Sequence, residues 1–194
     1  MSYYIRVLST ATGAPAPHEL APDGHDAQSA SGEEDWPALR VQTAAGREIA
    51  VVERNPVLPG SLGEEEIGTF LEEIDEAEPA SARAWLTDYL PRVRTIFAVQ
   101  VLCGPEQEEE WDALQEVVST LWHFAPGIIQ SDGEGFTNEE GYHILWQFAD
   151  DVDGPWTMAV LDRETWVPFQ MRLDDAEHRA AFRAGRVPAG AMQL

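Results

Sequence analysis

The chain has no lysine: all twelve of its basic residues are arginine. That removes Schiff-base chemistry, and it removes a P-loop, whose lysine must reach the phosphates. It also removes a kinase of the usual kind, which needs a strand lysine. Cysteine is almost as scarce, with Cys103 alone in 194 residues. An internal disulfide and a cysteine-rich zinc site are therefore both excluded. The histidines, His18, His25, His123, His143 and His178, show neither i, i+2 nor i, i+4 spacing, and no HExxH occurs. No run approaches the roughly 20 apolar residues of a membrane span.

Positive charge is in deficit overall. Twelve arginines stand against 35 acidic residues, a formal net charge of −23. Such a surface repels phosphate backbones and anionic lipid, so neither a nucleic-acid partner nor a membrane partner is expected. Attraction to a basic protein stays open. What is present suits a packed core: 44% of the residues are hydrophobic, including seven Trp, seven Phe and four Tyr. The opening Met1–Val7 alternates like a strand and lacks a signal peptide's cationic start and long apolar stretch. A cytoplasmic bacterial protein is the expectation.

The pattern along the chain predicts α+β architecture, mostly antiparallel sheet with packed helices. Residues 3–9, 38–44 and 47–54 alternate as strands, the last two as a hairpin around Ala45-Gly46. Residues 10–37 hold four prolines and few apolar anchors, chiefly Leu20 and Trp36, which predicts a mobile segment with one short helix near Pro17–Ala21. Ser61 with Glu64 three residues on predicts a helix start, and Ile67, Phe70, Leu71 and Ile74 form its apolar stripe. A second helix follows Pro79, with Ala82, Trp85, Leu86 and Tyr89 inward.

Residues 93–102 are apolar on both faces, so this strand belongs at the centre of a sheet, ending at Gly104-Pro105. A helix is predicted from Glu108 to Phe124, then strands at 128–130 and 142–148, separated by the acidic loop Asp132–Gly141. A turn at Asp150–Pro155 leads to a hairpin of 156–161 with 166–173. Pro168 lacks a ladder donor, which places its strand at an edge. Asp174 and Glu177 open a terminal helix that Gly185 closes. The repeated rhythm suggests two ferredoxin-like, split-βαβ lobes, 1–91 and 92–194, or one compact domain built from both.

Candidate chemistry is sparse. Asp150–Gly154 invites comparison with a calcium loop, but with Gly154 at position six, Ala149 and Val160 fall where oxygen ligands are required. No GxSxG elbow and no GxGxxG follows a strand, so no nucleophile elbow and no dinucleotide cofactor is indicated, and no metal set is found. Cys103 reads as a buried thiol. Asp132, Glu134 and His143 are the candidates for acid–base catalysis. Glu134, Phe136, Glu139 and Glu140 are the candidates for partner binding, as an aromatic anchor among charges. Trp146, Phe148, Trp156, Trp166 and Phe169 crowd one stretch; in paired strands such residues are core, and an exposed subset marks a surface.

The phrases YYIRVLS at Tyr3–Ser9, REIAVVERNPV at Arg47–Val57, SLGEEE at Ser61–Glu66, Ala84–Val101, the long stretch Ser131–Leu161 and Trp166–Met171 carry a resemblance. On them the chain is similar to an uncharacterised family of bacterial hypothetical proteins with no assigned activity, over most of its length outside residues 10–37. The resemblance transfers no functional residue. Charge favours a non-enzymatic module that neutralises a basic partner, as an immunity or antitoxin-like protein does. The alternatives are a small hydrolase using carboxylates and His143, or a small-molecule sensor domain, either with a cleft between lobes.

Overall fold

The computed structural model describes residues 3–29, 36–104, 107–149 and 151–194. Met1, Ser2, residues 30–35 of the proline-rich segment, Pro105, Glu106 and Asp150 lie outside the described residues. The described residues form ten strands and four α-helices, an α+β protein. They divide into two compact units, each built from two stretches of chain: 1–65 with 93–132, and 66–92 with 133–194. These units do not follow a division at residue 91.

The first unit is an antiparallel sheet. Its strands are β1 (Tyr3–Ser9), β2 (His25–Ser29), β3 (Ala38–Thr43), β4 (Glu48–Pro56), β5 (Thr95–Val101) and β6 (Gly127–Ser131), in the order β2-β3-β4-β5-β1-β6. β5 is central, as its two apolar faces require: Val7 stands opposite Phe97 on one side, and Val52 opposite Val99 on the other. β1 runs antiparallel to both β5 and β6, so those two are parallel to each other with β1 between them. The link between them is a helix, Glu108–Phe124. This is one split βαβ unit.

A ferredoxin-like lobe needs a second such unit, and the described residues of the first unit do not contain one. The meander β2-β3-β4 extends the sheet instead. The helix Glu108–Phe124 lies with the apolar face of the sheet. Its Ala113, Leu114, Val117, Val118 and Leu121 share one core with Ile5, Val7, Leu39, Val41, Val52 and Val99. The described residues of segment 10–37 are more anchored than its composition suggests. Leu20 and Trp36 are 1% exposed, and Trp36 Nε1 donates to the Pro15 carbonyl at 2.8 Å. The polar sequence HDAQS makes β2, with Ala27 inward. Cys103 is buried and in no disulfide.

Numbering helices in chain order, α1 is Leu62–Glu73, α2 Ala80–Tyr89, α3 the Glu108–Phe124 helix and α4 Ala176–Arg183. The second unit holds α2 and α4, most of α1, and strands β7 (Gly135–Thr137), β8 (Pro155–Asp162), β9 (Thr165–Arg172) and β10 (Met192–Gln193). β8, β9 and β10 form a meander in the order β10-β9-β8. Neighbours in sequence are neighbours in space there, so this unit is not a split-βαβ lobe.

Two further expectations need correction in the second unit. Pro168 lies on the middle strand, not an edge. It faces Ala159 on β8, while β10 pairs only with Phe169 and Gln170 and so asks no donor of Pro168. Residues 142–148 form no continuous strand; their ladder pairing is limited to the isolated bridges His143–Thr137, His143–Met158 and Trp146–Glu78. Their side chains still go inward. Trp146 and Phe148 pack with Met158, Phe169, Met171 and Phe182. The cap of α4 is Asp175, one residue later than expected, accepting from the amides of Glu177 and His178 at 2.8 and 3.1 Å.

Candidate functional site

The proposed acid–base residues sit in environments that occupy them. In the first unit, strand alternation puts Tyr4 and Arg6 on the face opposite Ile5 and Val7, away from α3. Asp132, just past β6, turns its carboxylate onto that face. One oxygen lies 2.6 Å from Arg6 Nη1, and the other accepts from the Tyr4 amide at 3.0 Å. Arg6 also donates to Gln130 Oε1 at 2.7 Å and lies 5.0 Å from the centre of the Tyr4 ring. Asp132 thus acts as a bracket between β1 and β6.

In the second unit, His143 is 3% exposed. Its Nε2 lies 3.0 Å from the backbone carbonyl of Glu134, which also accepts from the Gln147 amide at 3.2 Å. Glu134 therefore meets the imidazole through its main chain, not its carboxylate. A carbonyl can only accept, so Nε2 carries the proton. Burial pushes the His143 pKa down to about 4, against the opposing pull of the Leu145 and Glu134 backbone carbonyls. The ring is neutral near pH 7 and flanked by Phe148 and Trp156, with centroids 4.7 and 6.4 Å away. Gly135 makes this approach possible. Its φ is +120°, and a Cβ there would lie 2.5 Å from the Leu145 oxygen and 3.3 Å from His143 Nε2.

The partner-binding candidates fare similarly. Phe136 is fully buried, with the Phe70 ring edge-on at 5.8 Å. It is a core residue, and the reading of it as a docking anchor is corrected. A side chain flanked by acid and glycine still goes inward when its strand position faces an apolar helix stripe. Behind it, Asn138 Oδ1 accepts from the amides of Glu140 and Tyr142 at 3.1 and 2.9 Å, tying off the turn. Glu139 accepts the Tyr89 hydroxyl at 2.9 Å. Burial, and then this carboxylate, raise the Tyr89 pKa above the ordinary tyrosine range. The Tyr89 ring stacks on Trp85 at 4.8 Å with the Arg92 guanidinium 4.8 Å from its centre. Glu140 alone of the four is both exposed and without a structural use of its side chain in these contacts.

A different connection presents apolar groups to water. In the first unit, the turn between β4 and α1 exposes Leu58 at 61% and Leu62 at 72%. These are the two most exposed large apolar side chains among the described residues. The turn is held firmly. The Ser61 hydroxyl accepts from the Leu58 amide at 3.0 Å and from the Glu64 amide at 3.2 Å, and donates to the Pro56 carbonyl at 3.0 Å. Glu64 reaches back to the Gly60 amide at 2.7 Å. The expected capping serine is therefore in place, with the glutamate returning to Gly60. Gly63 packs so closely that a Cβ would lie 2.8 Å from the Pro56 oxygen.

The sequence carried a signal for this site. Counting back from Ile67 by three or four lands on Glu64 and Gly63, so Leu62 stands off the apolar stripe. The first unit also has an opening of about 460 Å³ lined by Gln28, Ser29, Ala38, Arg40, Glu48 and Val51. Its one ion pair, Arg40 to Glu48 at 3.0 Å, closes on itself, and none of the candidate residues lines it. Among the described residues no three His, Cys, Asp or Glu side chains gather as metal ligands, and no helix is long and apolar enough to cross a membrane. No protein-family model, curated protein or solved structure matches the chain.

Proposed function

We propose that this is a non-enzymatic, acidic protein-binding module of the bacterial cytoplasm, acting on a basic protein partner in the manner of an immunity or antitoxin protein. The observation that carries the reading is the charge: −23 over 194 residues, with eight acidic residues and no basic one between Val57 and Glu78. A field of this size accelerates encounter with a cationic surface and repels other copies of the same chain. The acid–base candidates lend support by their occupations. Asp132 brackets two strands, Glu134 offers His143 only a backbone carbonyl, and the imidazole is neutral and buried.

The test is capture from a bacterial lysate at low salt, followed by reconstitution of the captured protein in pure form. The reading expects a basic protein that binds stoichiometrically, with affinity falling steeply as salt rises. A captured partner that is neutral or acidic, or one whose affinity ignores salt, overturns it.

A further inference from the structure

We infer that the turn Val57–Glu65 is the partner-contacting surface, and that it fits a basic segment bearing an aliphatic side chain. This inference rests on the acidic-module reading and locates its contact. Three observations in the first unit converge on it. Leu58 and Leu62, four residues apart, are exposed at 61% and 72%, more than any other large apolar side chain among the described residues. Their backbone is fixed by the Ser61 hydroxyl and by the Glu64 return to Gly60, so the pair is presented in one geometry. Binding then orders little that was not already ordered.

Third, the exposed Glu64 and Glu65 stand directly behind the leucines in sequence. The adjoining basic residue is Arg94, whose carbonyl accepts from the Val57 amide at 2.8 Å. Capping does not require leucine at either position, and neither leucine fills the core. An apolar pair bordered by negative charge matches a cationic segment with an aliphatic anchor, such as one face of a basic amphipathic helix. A second copy of the chain is disfavoured as the occupant, because two bodies of charge −23 repel.

The test uses the full chain and two synthetic probes: a leucine–lysine amphipathic peptide, and the same peptide with serine for each leucine. Affinities are measured by fluorescence anisotropy at low and moderate salt. The wild type should prefer the leucine–lysine peptide by about tenfold, the size expected from burying a few methylene groups. The Leu58→Ser/Leu62→Ser variant should lose that preference while holding the serine–lysine peptide as before. Each single variant should lose part of it, and circular dichroism melts should show all three folded.

A preference that survives in the double variant overturns the location and leaves the acidic-module reading standing. Failure of both peptides to bind at low salt overturns that reading, and this inference with it. A wild-type dimer in sedimentation that the double variant dissociates also overturns the inference, by making a second copy the occupant.

Discussion

The stretch from Gly133 to His143 and the turn from Val57 to Glu65 look alike as sequence. Each is a connection rich in glutamate and glycine with one or two large apolar residues set in it. They treat those residues oppositely. Phe136 lies at 0% exposure against Phe70, while Leu58 and Leu62 lie at 61% and 72%. Both connections are tightly hydrogen-bonded, one through Asn138 and the other through Ser61. Rigidity therefore does not separate them; the direction of the apolar group does. An acidic, glycine-bearing loop is a docking surface only when its anchor faces outward, and composition alone does not reveal which way it faces.

The largest effect that can break this contrast is at Phe136. Phe136→Ala should cost about 4 kcal/mol in urea unfolding, as full truncation of a buried aromatic does. Gly135→Ala comes next, at about 3 kcal/mol. It combines a disfavoured φ with a Cβ that would meet the Leu145 oxygen at 2.5 Å. Circular dichroism melts of the same variants should rank them in the same order.

His143 sharpens the contrast through pH. Its folded pKa of about 4 lies below the unfolded value near 6.5. The unfolded chain therefore binds the extra proton first on acidification. The stability that neutral His143 provides is complete above about pH 6.5 and is lost as pH falls from there toward 4. Between pH 7.5 and 5.5 the wild type should lose on the order of 1 kcal/mol more than His143→Gln, measured by urea unfolding at both values. Equal pH dependence in the two proteins would place the imidazole in water. A smaller effect is expected at Tyr89, where Tyr89→Phe removes the bond to the exposed Glu139 and should cost about 0.5–1 kcal/mol by the same measurement.

Much of the fold is legible in the residues. The α3 stripe, the two apolar faces of β5 and the turn at Gly46 all give their elements because one local period dominates. The rest depends on distant partners. Residues 142–148 alternate like a strand, yet Trp146 and Phe148 reach the core from a backbone that pairs only at isolated bridges. β2 escapes notice because HDAQS is a polar edge strand with Ala27 as its one inward apolar residue. Phe136 could not be placed without Phe70, a partner far away in sequence, and Glu139 could not be placed without the Tyr89 hydroxyl. The exposure of Leu62 was within reach, because it lies off the helix stripe that the sequence itself displays.

The most direct measurement sets the two connections side by side: urea unfolding of wild type, Phe136→Ala and Leu58→Ser/Leu62→Ser at pH 7.5. The turn leucines face water, so the double variant should unfold within about 1 kcal/mol of wild type, while Phe136→Ala loses several times as much. A double variant that loses as much stability as Phe136→Ala would mean that Leu58 and Leu62 serve the fold, and would contradict their assignment to a partner.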